Sequence, residues 1–199
     1  MPKTPLILAS ASPRRFELLT TLGVEFRCQP ADIDEAVLVG ESPLCYVQRM
    51  AREKSAVVAA QQGNSEYSVL AADTTVVIDG EILGKPDSHA HGYAILERLS
   101  GRSHTVTTAL CLQTQQGVTQ RHVDTTVRFV SLDRGACEAY LATDEPWDKA
   151  GSYGIQGLGG AFVREINGSY SNVVGLPLTE TWELLCEHGI ATALSHSRE

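Results

Sequence analysis

The chain has 199 residues, 43% of them hydrophobic and 20% charged, with a formal net charge of −8. That length suits one domain, or one domain with two lobes, and buries enough apolar surface to need no cross-links. The acidic balance argues against binding to a nucleic-acid polymer, so any phosphate the chain holds must be met by a local cluster of cations.

The apolar run PLILAS (residues 5–10) reads as a buried strand, and a helix is predicted over 13–22. Ser12 is placed as its N-cap, Pro13 as its first residue and Gly23 as its stop. Arg14 and Arg15 then sit at the positive end of the helix dipole, unfavourable by roughly 0.3–1 kcal/mol each. Next come a short alternating strand at 24–30, the acidic loop ADIDEAVLVGES, and a long helix over 43–62 between Ser42 and Gly63. The segment SVLAADTTVVIDG is a strongly apolar strand ending in the hairpin signal Asp79-Gly80, with EILGKP returning. A helix is predicted over 87–99, then a hairpin of two β runs at 103–114 and 118–130. The helix LDRGACEAYLA follows, then a Gly-, Asp- and aromatic-rich loop over 144–160 that reads as functional. The strand AFVREING, a closing helix LPLTETWELLCEHG and ten frayed residues complete the chain. This alternation predicts an α/β fold with a mixed sheet flanked by helices.

Cys28, Cys45, Cys111, Cys137 and Cys186 form no CxxC pair, which argues against a disulfide framework or a zinc site. Four of the five lie in apolar or strand-like contexts and read as buried thiols. The opening stretch is too short for a signal-peptide core and no run reaches membrane-spanning length, so a cytoplasmic protein with no membrane partner is expected. GEILGKP has the wrong glycine spacing for a P-loop, with Pro where Ser or Thr should stand, and GIQGLGG is not GxGxxG. No GxSxG elbow occurs and the six histidines form no competing site.

Four features converge on a metal–polyphosphate site. The helix start with Arg14 and Arg15 makes an anion cradle. Arg52, Glu53 and Lys54 follow one another in the long helix. Asp73 is a carboxylate inside an apolar strand, costly there unless it meets a cation, a metal or a donor. The dense glycines of 154–160 leave backbone N–H groups for a ligand, with Tyr153 as a stacking face and Gln156 as a bidentate amide. Asp34, Glu35 and Asp73 are candidate ligands for Mg²⁺, and the cations, Lys85 included, would neutralise phosphate oxygens.

Taken in order, LILASASPRRFELL, DIDE, AREKS, LAADTTVVIDGEILGKP, LSGRSHTVTTAL, DKAGSYGIQGLGGAFVREINGSY and VVGLPL resemble the Maf family of nucleotide pyrophosphatases, from about residue 6 to 185. The resemblance implies an α/β fold like that of inosine-triphosphate pyrophosphatases: an elongated mixed sheet, two lobes and a central cleft. It implies hydrolysis of a nucleoside triphosphate to the monophosphate and pyrophosphate with a divalent cation, Mg²⁺ or Mn²⁺. Carried over residue by residue, Ser10, Arg14 and Arg15 match the phosphate motif, Glu35 the acidic loop position and Lys54 the helix lysine. Asp73 matches the proton acceptor, with Glu35 and Asp73 as metal ligands and Lys85 as the turn lysine. Arg14, Thr74 and Gln156 match positions that distinguish subfamilies by base, and SPRR, ADT and YGIQGLGG resemble the branch acting on dTTP and UTP. 5-Modified pyrimidine nucleotides remain open as substrates. The family name also suggests an alternative, a nucleotide-binding regulator of septum formation with little turnover. A homodimer is compatible with the sequence.

Overall fold

A computed structural model describes residues 5–63 and 66–195. It contains, in order, β1 (Leu6–Leu8), α1 (Pro13–Thr21), β2 (Phe26–Cys28), α2 (Pro43–Ala60), β3 (Ser68–Ile78), β4 (Glu81–Leu83) and α3 (His89–Leu99). β5 (Ser103–Thr114), β6 (Gly117–Phe129), α4 (Arg134–Leu141), two short 3-10 turns (Ala150–Ser152 and Leu158–Phe162), β7 (Val163–Asn167), α5 (Tyr170–Val174) and α6 (Leu178–Glu187) follow. Seven strands make one mixed sheet in the order β2-β1-β3-β5-β6-β7, with β4 paired to β3. β1 runs parallel to both β2 and β3, whereas β4 is antiparallel to β3 and β7 to β6. The predicted α/β architecture with helices flanking a mixed sheet is what is found. Among the described residues no helix is long and apolar enough to cross a membrane.

Local chemistry sets most boundaries. Ser12 and Ser42 cap α1 and α2 by accepting from the amides of Arg15 and Cys45, each with Pro at the first helical position. Ser88 and Asp133 cap α3 and α4 in the same way. Ile78 pairs with Glu81 across Asp79 and Gly80, both at positive φ (54° and 79°). That is the type I′ geometry whose twist matches a two-residue hairpin. α5 carries no sequence signal, because five residues are too few to show a period; Ser169 starts it by accepting from the Asn172 amide. The last ten residues are not wholly frayed: the Ile190 and Ala193 amides donate to Leu185 and Leu22 carbonyls (2.9 and 2.8 Å). Residues 196–199 lie outside the described residues.

The described residues form two compact units, one within 1–73, 108–122 and 175–199, the other of 74–107 and 123–174. In the first, the central strands are apolar on both faces, as strands covered on both sides must be. Leu6, Leu8, Leu70, Ala72, Leu110 and Leu112 pack with Leu19 of α1 and Leu184 and Leu185 of α6. The opposite face puts Ile7, Val69 and Ala71 against Val58 and Ala59 of α2, and Ala109 and Cys111 against Val47 and Ala51.

The second unit has its own core of Val76, Ile78, Ile95, Leu96, Leu99, Phe129 and Leu141. Phe129 meets Tyr153 and His104 edge-on, with ring centroids 4.7 and 5.0 Å apart, and His104 Nε2 and Tyr153 Oη are hydrogen-bonded at 2.8 Å. Tyr153, expected as a stacking face for a ligand, is therefore a core residue, 5% exposed. The cysteine expectation also needs correction. All five thiols are free, but only Cys111 and Cys137 are buried; Cys28, Cys45 and Cys186 are exposed. Cys28 ends a strand at the sheet edge, and Cys45 and Cys186 lie on helix faces turned from the core, a distinction that apolar neighbours in sequence do not reveal.

Candidate active site

Two periods meet at Asp73. In β3 alternate residues share a face, so Asp73 follows Val69 and Ala71 onto the face that α2 covers. On α2, Lys54 lies one turn before buried Val58 and inside the stripe of Val47, Ala51 and Val58. The result is an ion pair: Lys54 Nζ donates to Asp73 Oδ1 at 2.7 Å, with the two side chains 12% and 11% exposed. The same ammonium reaches Glu35 Oε1 at 2.6 Å, so one cation is shared by two carboxylates from distant segments.

The loop that delivers Glu35 is strapped to α2. Tyr46 Oη donates to the Glu35 carbonyl (3.1 Å) and Arg49 Nη2 to the Ala36 carbonyl (2.9 Å). Arg49 also grips Glu41 with Nε and Nη2, both at 2.7 Å, while Glu41 accepts from the Leu38 amide at 3.1 Å. That bidentate pair holds the Glu41 carboxyl down to about 2. Glu41, Tyr46 and Arg49 escaped the sequence reading; the one signal for them is a charge just before the α2 cap and its opposite about two turns on. Asp34, a candidate metal ligand, has one oxygen engaged locally: its Oδ1 accepts from the Ala36 amide at 2.9 Å.

Arg15 completes the first unit's cluster. Its Nε donates to the Gly175 carbonyl (2.8 Å), and the guanidinium feels Asp73, then like-charged Arg14, then Glu35. Burial pulls the Arg15 pKa below its ordinary value, while the two carboxylates hold it up. Burial likewise pushes the Asp73 carboxyl up from its ordinary range, against the pull of Lys54 and Arg15. Arg14 is half-buried in the first turn of α1, and buried Ser10 accepts from the Ser12 amide at 3.1 Å. The structure thus brings Glu35, Lys54, Asp73 and Arg15 together, with Arg14 beside Arg15 in the first turn of α1 and Ser10 just before its cap.

Thr74, Lys85 and Gln156 belong to the second unit. Thr74 is half-buried in β3, Lys85 is exposed after β4, and Gln156 is exposed on the glycine-dense loop. That loop differs from expectation, because five of the seven amides of 154–160 are already engaged by side chains and carbonyls of the same unit. The Leu158 and Gly159 amides donate to Glu145 Oε2 and Oε1 (2.8 and 3.0 Å), and the Gly154 amide to Tyr140 Oη (3.1 Å). The Gly157 and Gly160 amides donate to Gly154 and Gly157 carbonyls. The glycines serve close packing: a Cβ on Gly157 would fall 2.2 Å from Glu145 Oε2, and one on Gly159 2.7 Å from Tyr140 Oη. Glu145 and Tyr140 were not singled out from sequence, since a carboxylate that accepts amides thirteen and fourteen residues away leaves no local pattern.

Comparison with known proteins places these residues in a family. The family model for Maf-like proteins matches residues 5–188. A curated relative from Shewanella sp., named dTTP/UTP pyrophosphatase, is 53% identical over 191 residues, covering 93% of this chain and 98% of its own. A dTTP/UTP pyrophosphatase from Escherichia coli is 50% identical, with 92% of each chain covered. Among solved structures, a nucleoside-triphosphatase / dITP/XTP pyrophosphatase from Mycobacterium abscessus aligns over 65% of this chain and 76% of that one, at a TM-score of 0.43 and 16% identity, a likeness too slight to bear on the fold. A family match spanning all but the ends of the chain, with relatives half identical to it, means that the chain belongs to the Maf-like protein family.

Proposed function

We propose that this chain hydrolyses dTTP and UTP to the nucleoside monophosphate and pyrophosphate. One observation carries the reading: a buried carboxylate, Asp73, held by Lys54 beside Glu35 and Arg15. A carboxyl lifted by burial is a better proton acceptor near neutrality than an exposed one. In this reading Asp73 takes a proton from the water that attacks the α-phosphorus; the bond from that phosphorus to the bridging oxygen breaks, and pyrophosphate leaves. Lys54 keeps Asp73 ionised and oriented. Ser10, Arg14, Arg15 and Lys85 bind phosphate oxygens and stabilise the charge that develops on the leaving group. Thr74, Gln156 and Arg14 select the base, Gln156 by pairing with the edge that uracil and thymine share.

Two carboxylates that converge on one ammonium make a hard-oxygen donor set that fits Mg²⁺ or Mn²⁺. Glu35 and Asp73 would hold such an ion, and it would supply neutralising charge to the triphosphate. The reading takes the two units as lobes of a single domain that works on free nucleotides in the cytoplasm, with neither a nucleic-acid polymer nor a membrane as partner. Sedimentation would decide whether it does so as a homodimer. Pyrophosphate release from a nucleotide panel, with metal added and omitted, tests the whole. Metal-dependent turnover of dTTP and UTP that disappears in Asp73→Asn is expected. Turnover that survives Asp73→Asn removes Asp73 from its role, and tight dTTP binding without turnover replaces the enzyme with a nucleotide-binding regulator.

A further inference from the structure

An exposed side chain on a glycine-dense loop discriminates between bases only if the loop holds still, because freedom lost on binding is subtracted from the discrimination. Two side chains outside the loop do the holding. Glu145 accepts three hydrogen bonds: at Oε2 from the Leu158 amide (2.8 Å), and at Oε1 from the Gly159 amide (3.0 Å) and the Tyr140 hydroxyl (2.8 Å). Tyr140 Oη in turn accepts from the Gly154 amide (3.1 Å). Both ends of the 154–159 segment are fastened to one carboxylate–phenol pair, and Gln156 lies between them. Three donors on one side chain call for an ionised carboxylate; a glutamine there would set its NH₂ against an N–H. The loop also closes over the pair with no space to spare. A Cβ on Gly154 would stand 3.1 Å from Glu145 Oε1, and Gly157 and Gly159 are tighter still.

We propose that Glu145, acting with Tyr140, is a positioning residue for base selection: it fixes the 154–159 loop in the shape that presents Gln156 to the nucleobase. The inference rests on the dTTP/UTP function argued above. Its test compares Glu145→Gln, Tyr140→Phe, Gln156→Ala and the double variant Glu145→Gln/Gln156→Ala in the full chain. Two readouts are taken: kcat and KM for dTTP and dCTP, and hydrogen exchange of the 153–160 backbone without nucleotide. Cytosine is the discriminating competitor because it replaces the O4 acceptor with an amino donor.

Glu145→Gln is expected to raise KM for dTTP on the order of tenfold with kcat changed less than about threefold. Its preference for dTTP over dCTP should fall to that of Gln156→Ala, and the double variant should be no less selective than Gln156→Ala alone. Exchange at Gly154, Leu158 and Gly159 should accelerate. Tyr140→Phe frees the Gly154 amide and removes one of the three donors to Glu145 but leaves the Leu158 and Gly159 amides held, so it should fall between wild type and Glu145→Gln, which keeps the test decisive if Glu145→Gln fails to fold. Wild-type selectivity with unchanged loop exchange in these variants overturns the proposal. So does an equal loss of kcat on both nucleotides with KM intact, which marks a merely structural role. A wild type that turns over neither dTTP nor UTP overturns the parent function, a result distinct because it precedes any substitution.

Discussion

Replacing Lys54 by Met removes one cation from between two carboxylates and leaves them unequal. Glu35 is 45% exposed and returns to water, but Asp73, 11% exposed, keeps only Arg15 nearby. At 2.7 Å and an effective dielectric of 20 the Lys54–Asp73 attraction is about 6 kcal/mol in gross terms. Desolvation of both ions offsets much of it, and one-sided removal from a buried pair leaves a net loss of about 3 kcal/mol. For a chain of 199 residues that corresponds to a melting temperature lower by about 6–12 °C. Asp73→Asn should cost less, since Lys54 retains Glu35, and Lys54→Met/Asp73→Asn should recover most of the loss of Lys54→Met. The pH dependence has a definite sign. A carboxyl raised above its unfolded value contributes stability below the unfolded pKa and loses it as pH rises through the folded one. Without Lys54 the Asp73 carboxyl rises further, so the gap between Lys54→Met and wild type should close on acidification towards about pH 4. Calorimetry of the four proteins at pH 7 and pH 4.5 measures this. A Lys54→Met melting point within about 1 °C of wild type at pH 7, or a gap that widens in acid, refutes the reasoning.

Burial holds the His104 pKa down to about 4, so the fold should lose stability as pH falls from about 6.5 through about 4, on the order of 3 kcal/mol in full; urea midpoints at pH 7 and 5 should show a shallower decline in His104→Gln. The Glu41 carboxyl should titrate near 2 by NMR and return towards 4.5 in Arg49→Ala, so the stability it lends is present above about pH 4.5 and fades as pH falls towards 2. Gly157→Ala forces a Cβ to 2.2 Å from Glu145 Oε2 and should destabilise by about 2 kcal/mol, read as a lower urea midpoint; an unchanged midpoint would mean that the carboxylate moves aside at no cost.

What was legible in the sequence was local. Ser12, Ser42 and Asp79-Gly80 act through neighbours within three residues, and they set the boundaries they signalled. Asp73 stood out because an apolar strand gives a carboxylate no local task, and the structure supplies the partner that burial demands. The glycine loop misled for the converse reason. Its density was visible, but whether its amides face a ligand or a side chain depends on Glu145 and Tyr140, which belong to the preceding segment and α4. Tyr153 and the exposed cysteines misled likewise, since sequence neighbours do not say which face of an element turns inward.

The strap between Arg49, Ala36 and Glu41 has a practical corollary. Leu38 and Glu41 close a tight turn on themselves, the Glu41 amide donating to the Leu38 carbonyl at 3.0 Å, and Val39 at its apex is fully exposed. Because both flanks are anchored on α2, that apex is mechanically insulated from Glu35. A fluorophore attached there, or a short peptide epitope spliced in, would report from a few residues' distance without disturbing the carboxylate it watches.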